Sequence, residues 1–393
     1  MTESVLDALY RKACEGDGQA QFEWALHCSD QGDSHHAIRW MRRAANSGHA
    51  DGRLQLALWL LTGHNTDPQP QLAAAQLQQL ARHGSAFAYG LVASLYAAGQ
   101  GLPRSWTAAV AWLVQAASAG LARAICQLGL MLPVDHRDRN LLLAAAAAAG
   151  DPVAVDFCSQ LRCRDGVADE ALANPGLWNR VRGDIVLPHL RPLPEAQLIH
   201  RDPPIRVCPG LLTPDHCRYL RTAARPFLAP ADVNDGYRGR LTDASRSNSV
   251  MGFHTLERDV LVQSINHRLA AVAGLPDRQG EALSVLHYRP GQEYRPHYDF
   301  FNPLLPRHGD ELRRGGQRIV TVLVYLNDDY DAGDTVFNHL DVRCKGNTGD
   351  ALTFPNVLPD GTPDHRTLHG GSSPEGGDKW LASRWFRDRA ALR

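Results

Sequence analysis

Six histidines in this chain stand two residues before an aspartate: His49/Asp51, His136/Asp138, His200/Asp202, His297/Asp299, His308/Asp310 and His339/Asp341. On an extended strand, residues i and i+2 share a face, so such an imidazole and carboxylate can bind one metal ion from the same side. A second histidine on a neighbouring strand would complete a two-histidine, one-carboxylate set with open positions, which suits non-haem Fe(II). Spacing alone does not choose among the six. Only His297/Asp299 closes a stretch, LHYRPGQEYRPHYD from Leu286 to Asp299, that alternates aromatic and polar residues and breaks at Pro290-Gly291.

The neighbouring segments are of a kind that could hold such a pair. Residues 211–228, LLTPDHCRYLRTAARPFL, read as a helix capped by Thr213 or Asp215, and 260–275 read as a second. Strand-like runs follow: ALSVLHYR, QEYRPHYDF, QRIVTVLVYL, DTVFN, DALTFP, RTLHG and KWLASRWF. They are short, rich in β-branched and aromatic residues, and separated by Gly, Asp and Pro turns. Several strands behind two helices predict a jelly-roll barrel, or double-stranded β-helix, with supporting helices.

The N-terminal half has a different texture. Gly48 precedes Ala50 and Ala57, Gly84 precedes Ala86 and Ala93, and Gly120 precedes Ala122 and Gly129, with weaker copies at Gly16 and Gly150. Each strong step is 36 residues (84 − 48 and 120 − 84). Trp40, Trp112 and Leu142 stand eight residues before a glycine, in alanine-rich runs with apolar residues three and four apart. Those runs read as helices stopped by glycine, paired and stacked as a solenoid. The pattern resembles the Sel1-like branch of the tetratricopeptide superfamily, which implies a surface for a protein partner or substrate. The fold class expected is therefore α+β: a repeat domain over 1–165, a proline-rich linker over 166–203 and the barrel domain over 204–393.

Composition narrows the function classes. With 393 residues, 44% hydrophobic and 21% charged, the chain reads as a globular protein of several domains. Its formal net charge of −1 leaves no basic excess to neutralise phosphates, so nucleic acid is not the expected partner. No apolar run approaches a membrane span, and the charged N-terminus does not read as a signal peptide. The eight cysteines, Cys14, Cys28, Cys126, Cys158, Cys163, Cys208, Cys217 and Cys344, form no Cys-x-x-Cys motif. Reduced thiols in a cytoplasmic protein, without a zinc site, are expected.

From residue 204 onward the ordered blocks Y-x-P-G-Q-x-Y-x-P-H-x-D, G-G-Q-R, Y-L-N-D, G-D-T-x-F, G-D-A-L-x-F, L-H-x-G and K-W-x-x-x-x-W resemble the prolyl 4-hydroxylase family of oxygenases. The resemblance implies Fe(II) held by His297, Asp299 and His369. It implies 2-oxoglutarate and O2 as co-substrates, with ascorbate as an accompanying reductant. Lys379, ten residues after His369, would take the far carboxylate of 2-oxoglutarate, with Tyr288 and Thr335 as hydroxyl donors. Tyr294 and Trp385 would form the aromatic side of the groove for a protein or peptide, with Arg318 near the metal and Glu281 and Arg246 at further groove positions. His365 competes with His369 as the third ligand, but His369 has the Leu-His-x-Gly context. His254, His287, His308 and His339 read as structural or solvated.

Three features depart from the family pattern: a longer loop from His339 to Gly349, the shifted proline in SSPEGGD, and Asn248 where a serine is usual. They bear on the substrate more than on the metal. The expected activity is hydroxylation of a prolyl residue. The alternatives are the same chemistry on a lysyl residue or a free amino acid, and a catalytically silent scaffold.

Overall fold

The computed structural model describes residues 3–161, 172–231, 233–234, 240–241 and 246–390, so Cys163 and the end of the expected repeat domain lie outside the described residues. The chain divides into two compact units, Met1–Ile185 with Thr255–Gln263, and Val186–His254 with Ser264–Arg393.

The first unit is a series of helices, each packed on the next: α1 (Glu3–Cys14), α2 (Gly18–Asp30), α3 (Ser34–Asn46), α4 (Ala50–Thr62), α5 (Pro70–Arg82), α6 (Ala86–Ala98), α7 (Trp106–Ser118), α8 (Ala122–Met131), α9 (Arg139–Ala148) and α10 (Pro152–Leu161). The glycine period has a backbone cause. Gly48, Gly84 and Gly120 adopt φ of 90°, 84° and 86° just past α3, α5 and α7. There the next amide closes the helix, as His49 N–H does on Ala44 O at 3.1 Å and Leu121 N–H on Ala116 O at 2.9 Å. A side chain would strain that conformation. The small residues have a packing cause: a Cβ at Gly52 of α4 would stand 2.8 Å from the Ala44 Cβ of α3. Ala37, Ala57, Ala73 and Ala88 are fully buried along the same core.

The stretch expected as a linker holds ordered elements. Helix α11 (Pro175–Asp184) begins on its proline and packs on α7. Proline is favoured at the first helical position, where its missing N–H would have no partner anyway. Further on, the proline-rich backbone around Pro188–Pro192 is pinned by one guanidinium. Arg268 donates to Pro188 O, Arg191 O, Pro192 O and Leu211 O at 2.6–3.0 Å.

The second unit contains β1 (Gln197–His200), β2 (Ile205–Cys208), α12 (Pro214–Ala224), β3 (Ala229–Pro230), β4 (Ser249–Phe253), β5 (Leu283–Tyr288), β6 (Tyr294–His297), α13 (Val260–Ala273, whose first residues fall in the other unit), α14 (Pro306–Gly315), β7 (Arg318–Tyr325), β8 (Thr335–Phe337), β9 (Val342–Cys344), β10 (Ala351–Pro355), β11 (His369–Gly371) and β12 (Lys379–Arg387). Thr213 caps α12 through a box with His216. An eight-stranded antiparallel sheet runs β1-β2-β10-β7-β12-β5-β4-β3, and a four-stranded one runs β9-β8-β11-β6. Their apolar faces bury Ile205, Leu286, Leu323, Phe337, Phe354 and Leu381 in one core. That is the jelly-roll arrangement the alternating runs predict.

Candidate active site

The smaller sheet puts two histidines opposite each other. His297 ends β6, His369 begins β11, and they are register partners with ring centroids 4.5 Å apart. Asp299 is not on the strand, contrary to the i, i+2 expectation, because β6 ends at His297 and the aspartate lies in the bend beyond. Its carboxylate nonetheless turns into the same space, where Thr321 on β7 of the larger sheet donates to Oδ2 at 2.7 Å. Asp299 Oδ1 is 3.5 Å from His297 Nε2, and Oδ2 is 3.5 Å from His369 Nε2. The ligand atoms of the three residues lie within 4.8 Å of one another. Among the described residues no other trio of His, Cys, Asp or Glu side chains converges in this way.

The donor set fits a divalent iron. His297 Nδ1–H donates to Arg295 O and His369 Nδ1–H to Thr367 O, each at 2.9 Å. Both Nε2 lone pairs are thereby left for a metal. Burial pushes His369 down to about 4, even against the attraction of Asp299. For Asp299, burial alone would raise the carboxyl, but His369, His297 and the Thr321 hydroxyl outweigh it and hold it well below the usual range. At neutral pH the aspartate is charged and His369 neutral, the protonation states a metal requires.

A second feature lies deeper in the barrel. Lys379 opens β12, is completely buried and is the register partner of Tyr288. Its ammonium donates to Gly333 O at 2.6 Å and stands 5.4 Å from the Tyr288 ring. Among the described residues no carboxylate is bonded to it. Burial lowers Lys379 to about 8. A buried ammonium with one backbone acceptor is costly, and an anionic ligand would offset that cost. Tyr325 Oη donates its one proton to Cys344 O at 2.9 Å, so Thr335 on β8 donates to Tyr325 Oη at 3.1 Å, and it lines the same cleft as Tyr288. A Cβ at Gly371 would sit 3.6 Å from the ammonium, so glycine leaves the approach open.

Arg246, Tyr288, Tyr294, Thr335 and Trp385 line the cleft with the three metal-site residues. Tyr294 stacks on His297, with centroids 3.5 Å apart, and Arg246 covers the Tyr294 ring at 4.6 Å. Trp385 presents a buried indole N–H with no hydrogen-bond partner among the described residues. Arg318 lies 3.8 Å over the Trp385 ring, and Glu281 accepts two hydrogen bonds from it, at 2.7 and 2.9 Å. Arg387 donates to the same Glu281 at 2.7 Å. Burial alone would raise the Glu281 carboxyl, but the two arginines outweigh it and lower it. Glu281 thus fixes Arg318 against the face of the tryptophan.

His365 is outside this set. It packs edge-on against Tyr298 and Phe300 at 5.1 and 5.2 Å. His287 pairs with Asp378 at 2.8 Å and stacks on Trp380. Sequence reading missed Thr321, Asn356, Arg387 and Tyr325. One signal was available: Thr321, Leu323 and Tyr325 alternate on β7 and so share a face, with a polar residue where the run predicts an interior one.

Residues 283–387 match the family model described as the 2OG-Fe(II) oxygenase superfamily. The chain is 34% identical over 211 residues to Prolyl 4-hydroxylase 1 of Arabidopsis thaliana, covering 50% of this chain and 73% of that protein. A viral collagen prolyl hydroxylase from Paramecium Bursaria Chlorella virus-1 superposes with a TM-score of 0.37 and 23% identity, over 48% of this chain and 96% of that one. A Sel1 repeat protein from Oxalobacter formigenes superposes with a TM-score of 0.37 and 22% identity, over 46% of this chain and 78% of that one.

Proposed function

The chain belongs to the prolyl 4-hydroxylase family of Fe(II)- and 2-oxoglutarate-dependent oxygenases, and from that membership we propose how its residues serve the hydroxylation of a prolyl residue in a protein or peptide. The observation that carries the reading is the pairing of a converged His297–Asp299–His369 set with a buried, anion-ready Lys379 in one barrel.

His297, Asp299 and His369 would hold the iron. With 2-oxoglutarate and O2 it would supply the oxidation of a substrate C–H bond, with succinate and CO2 as co-products. Lys379 binds the far carboxylate of 2-oxoglutarate, with Tyr288 and Thr335 beside it as hydroxyl partners. Burial of that pocket excludes water from the reaction. Tyr294 and Trp385 offer flat apolar faces to a pyrrolidine ring, and the free Trp385 N–H offers a donor to a substrate carbonyl. Arg318, clamped by Glu281, sets the position of that tryptophan. Arg246 holds Tyr294 against His297.

We assign the helical repeat unit to docking of the substrate protein or a partner. We propose the cytoplasm as its compartment, a reading supported by the free thiols of the described cysteines.

The test is succinate formation by the full chain with Fe(II), 2-oxoglutarate and proline-containing peptides, with mass spectrometry locating the added oxygen. Turnover on proline that disappears in His297→Ala and His369→Ala is expected. Oxygen found on lysine, or on a free amino acid, would replace the prolyl assignment while keeping the cofactors. Activity retained when both histidines are replaced would refute the metal centre. A pull-down with the His369→Ala protein, read by mass spectrometry, tests the docking role of the repeats.

A further inference from the structure

Behind Asp299 lies a short polar chain buried in an apolar wall. Asn356 Nδ2 donates to Thr321 Oγ1 at 2.9 Å, and Thr321 Oγ1 donates to Asp299 Oδ2 at 2.7 Å. Asn356 and Thr321 have no exposed surface. The direction of the chain follows from proton inventory. A charged carboxylate only accepts, so the single hydroxyl proton of Thr321 goes to Asp299. Thr321 Oγ1 can then only accept from Asn356, which fixes the amide orientation. The other end of that amide is uncompensated: Asn356 Oδ1 is buried with no hydrogen-bond partner among the described residues.

An unpaired buried carbonyl is destabilising. A residue kept only for the fold would be served at least as well by leucine, which has a similar size and no polar atom to satisfy. We infer that Thr321 and Asn356 are positioning residues that fix the rotation of the Asp299 carboxylate, committing Oδ2 to Thr321 and leaving Oδ1 turned toward His297 Nε2. The inference rests on the reading of this trio as a metal centre. It goes beyond that reading by assigning two further residues to it, one on β7 and one just past the end of β10 at Pro355. Partners of this kind orient metal ligands, and their loss typically costs about 10- to 100-fold in metal affinity.

The experiment titrates the full chain with Co(II) alone, by calorimetry and by the visible absorption of the bound ion, beside a thermal melt of each metal-free protein. Thr321→Val keeps the side-chain shape and removes the donor, and about 10- to 100-fold weaker Co(II) binding is expected. Thr321→Ser keeps the hydroxyl and should restore the affinity to near wild type. Asn356→Leu should weaken Co(II) binding while leaving the metal-free melt unchanged or raised. A purely structural role gives the opposite pair, a lowered melt with affinity intact. In the Thr321→Val background, Asn356→Leu should add no further loss, because the relay is already cut.

Wild-type affinity in Thr321→Val, or independent losses that multiply in the double variant, would overturn the relay. Should Thr321→Val fail to fold, the affinity and melt of Asn356→Leu decide the matter alone. Absence of Co(II) binding by the wild type would overturn the metal centre and the relay with it. Wild-type binding with no loss in either variant overturns the relay only.

Discussion

Replacing Lys379 by methionine should change stability and ligand binding in opposite directions. The ammonium is fully buried, bonds to Gly333 O and, among the described residues, to no carboxylate, and is lowered from 10.5 to about 8, chiefly by burial. Each pKa unit is worth about 1.4 kcal/mol, so charged Lys379 costs the metal-free fold on the order of 3 kcal/mol. Methionine fills the same volume without a charge, so the variant should melt higher by roughly 6–12 °C. The sign follows from linkage. A base whose folded pKa is depressed destabilises fully below about 8, and the penalty fades as pH rises toward the unfolded value of 10.5. The advantage of Lys379→Met should therefore be constant below about pH 8 and shrink above it. For 2-oxoglutarate the effect is reversed. Loss of a buried charged partner costs about 2–5 kcal/mol, so calorimetric affinity should drop by at least ~30-fold. In the wild type, that affinity should weaken as pH rises above about 8. A variant that melts lower than wild type, or binds 2-oxoglutarate as tightly, would refute the assignment of this ammonium as the co-substrate's anchor.

Three further outcomes are expected. Glu281→Gln leaves the Arg318 guanidinium without its charged partner and removes one of the two carboxylates on Arg387, which keeps Glu311 at 3.0 Å. Denaturant titration should show a loss of about 3–5 kcal/mol, and peptide KM should rise while 2-oxoglutarate KM holds. Because the Glu281 carboxyl is lowered in the fold, its stabilisation is present above the ordinary glutamate range and fades as pH falls through it, which melts at stepped pH would record. Trp385→Phe removes an indole N–H that is buried in the cleft without a partner among the described residues. Peptide KM should rise by about 5- to 10-fold, the size of one net hydrogen bond, with kcat nearly unchanged in steady-state assays. Gly52→Leu forces a side chain against Ala44, where even a Cβ would stand at 2.8 Å. Overpacking of this kind costs about 1–3 kcal/mol, and a lower melt of the helical unit with the metal affinity intact is expected.

Local rules carried a large part of this molecule. A glycine every 36 residues is needed wherever a helix must end in a left-handed residue, and Gly48, Gly84 and Gly120 do so. Alternation of apolar and polar residues fixed which faces of the barrel strands point inward. The identity of His297, His369 and Lys379 could be read because ordered motifs flank each of them. What could not be read depends on which strands lie side by side. Thr321 and Asn356 are 22 and 57 residues from Asp299, counted as 321 − 299 and 356 − 299. Alternation along β7 turns Thr321 inward, but only the pairing of β7 with β10, and the facing of the two sheets, brings both residues behind the carboxylate. The same holds for Glu281 between Arg318 and Arg387, and for α11 beginning on a proline that read as part of a linker. Backbone conformation and strand phase are set by near neighbours along the chain, so they are legible in a row of letters. The partner of a buried polar group is set by whatever segment folding places opposite it, and that is decided only in three dimensions.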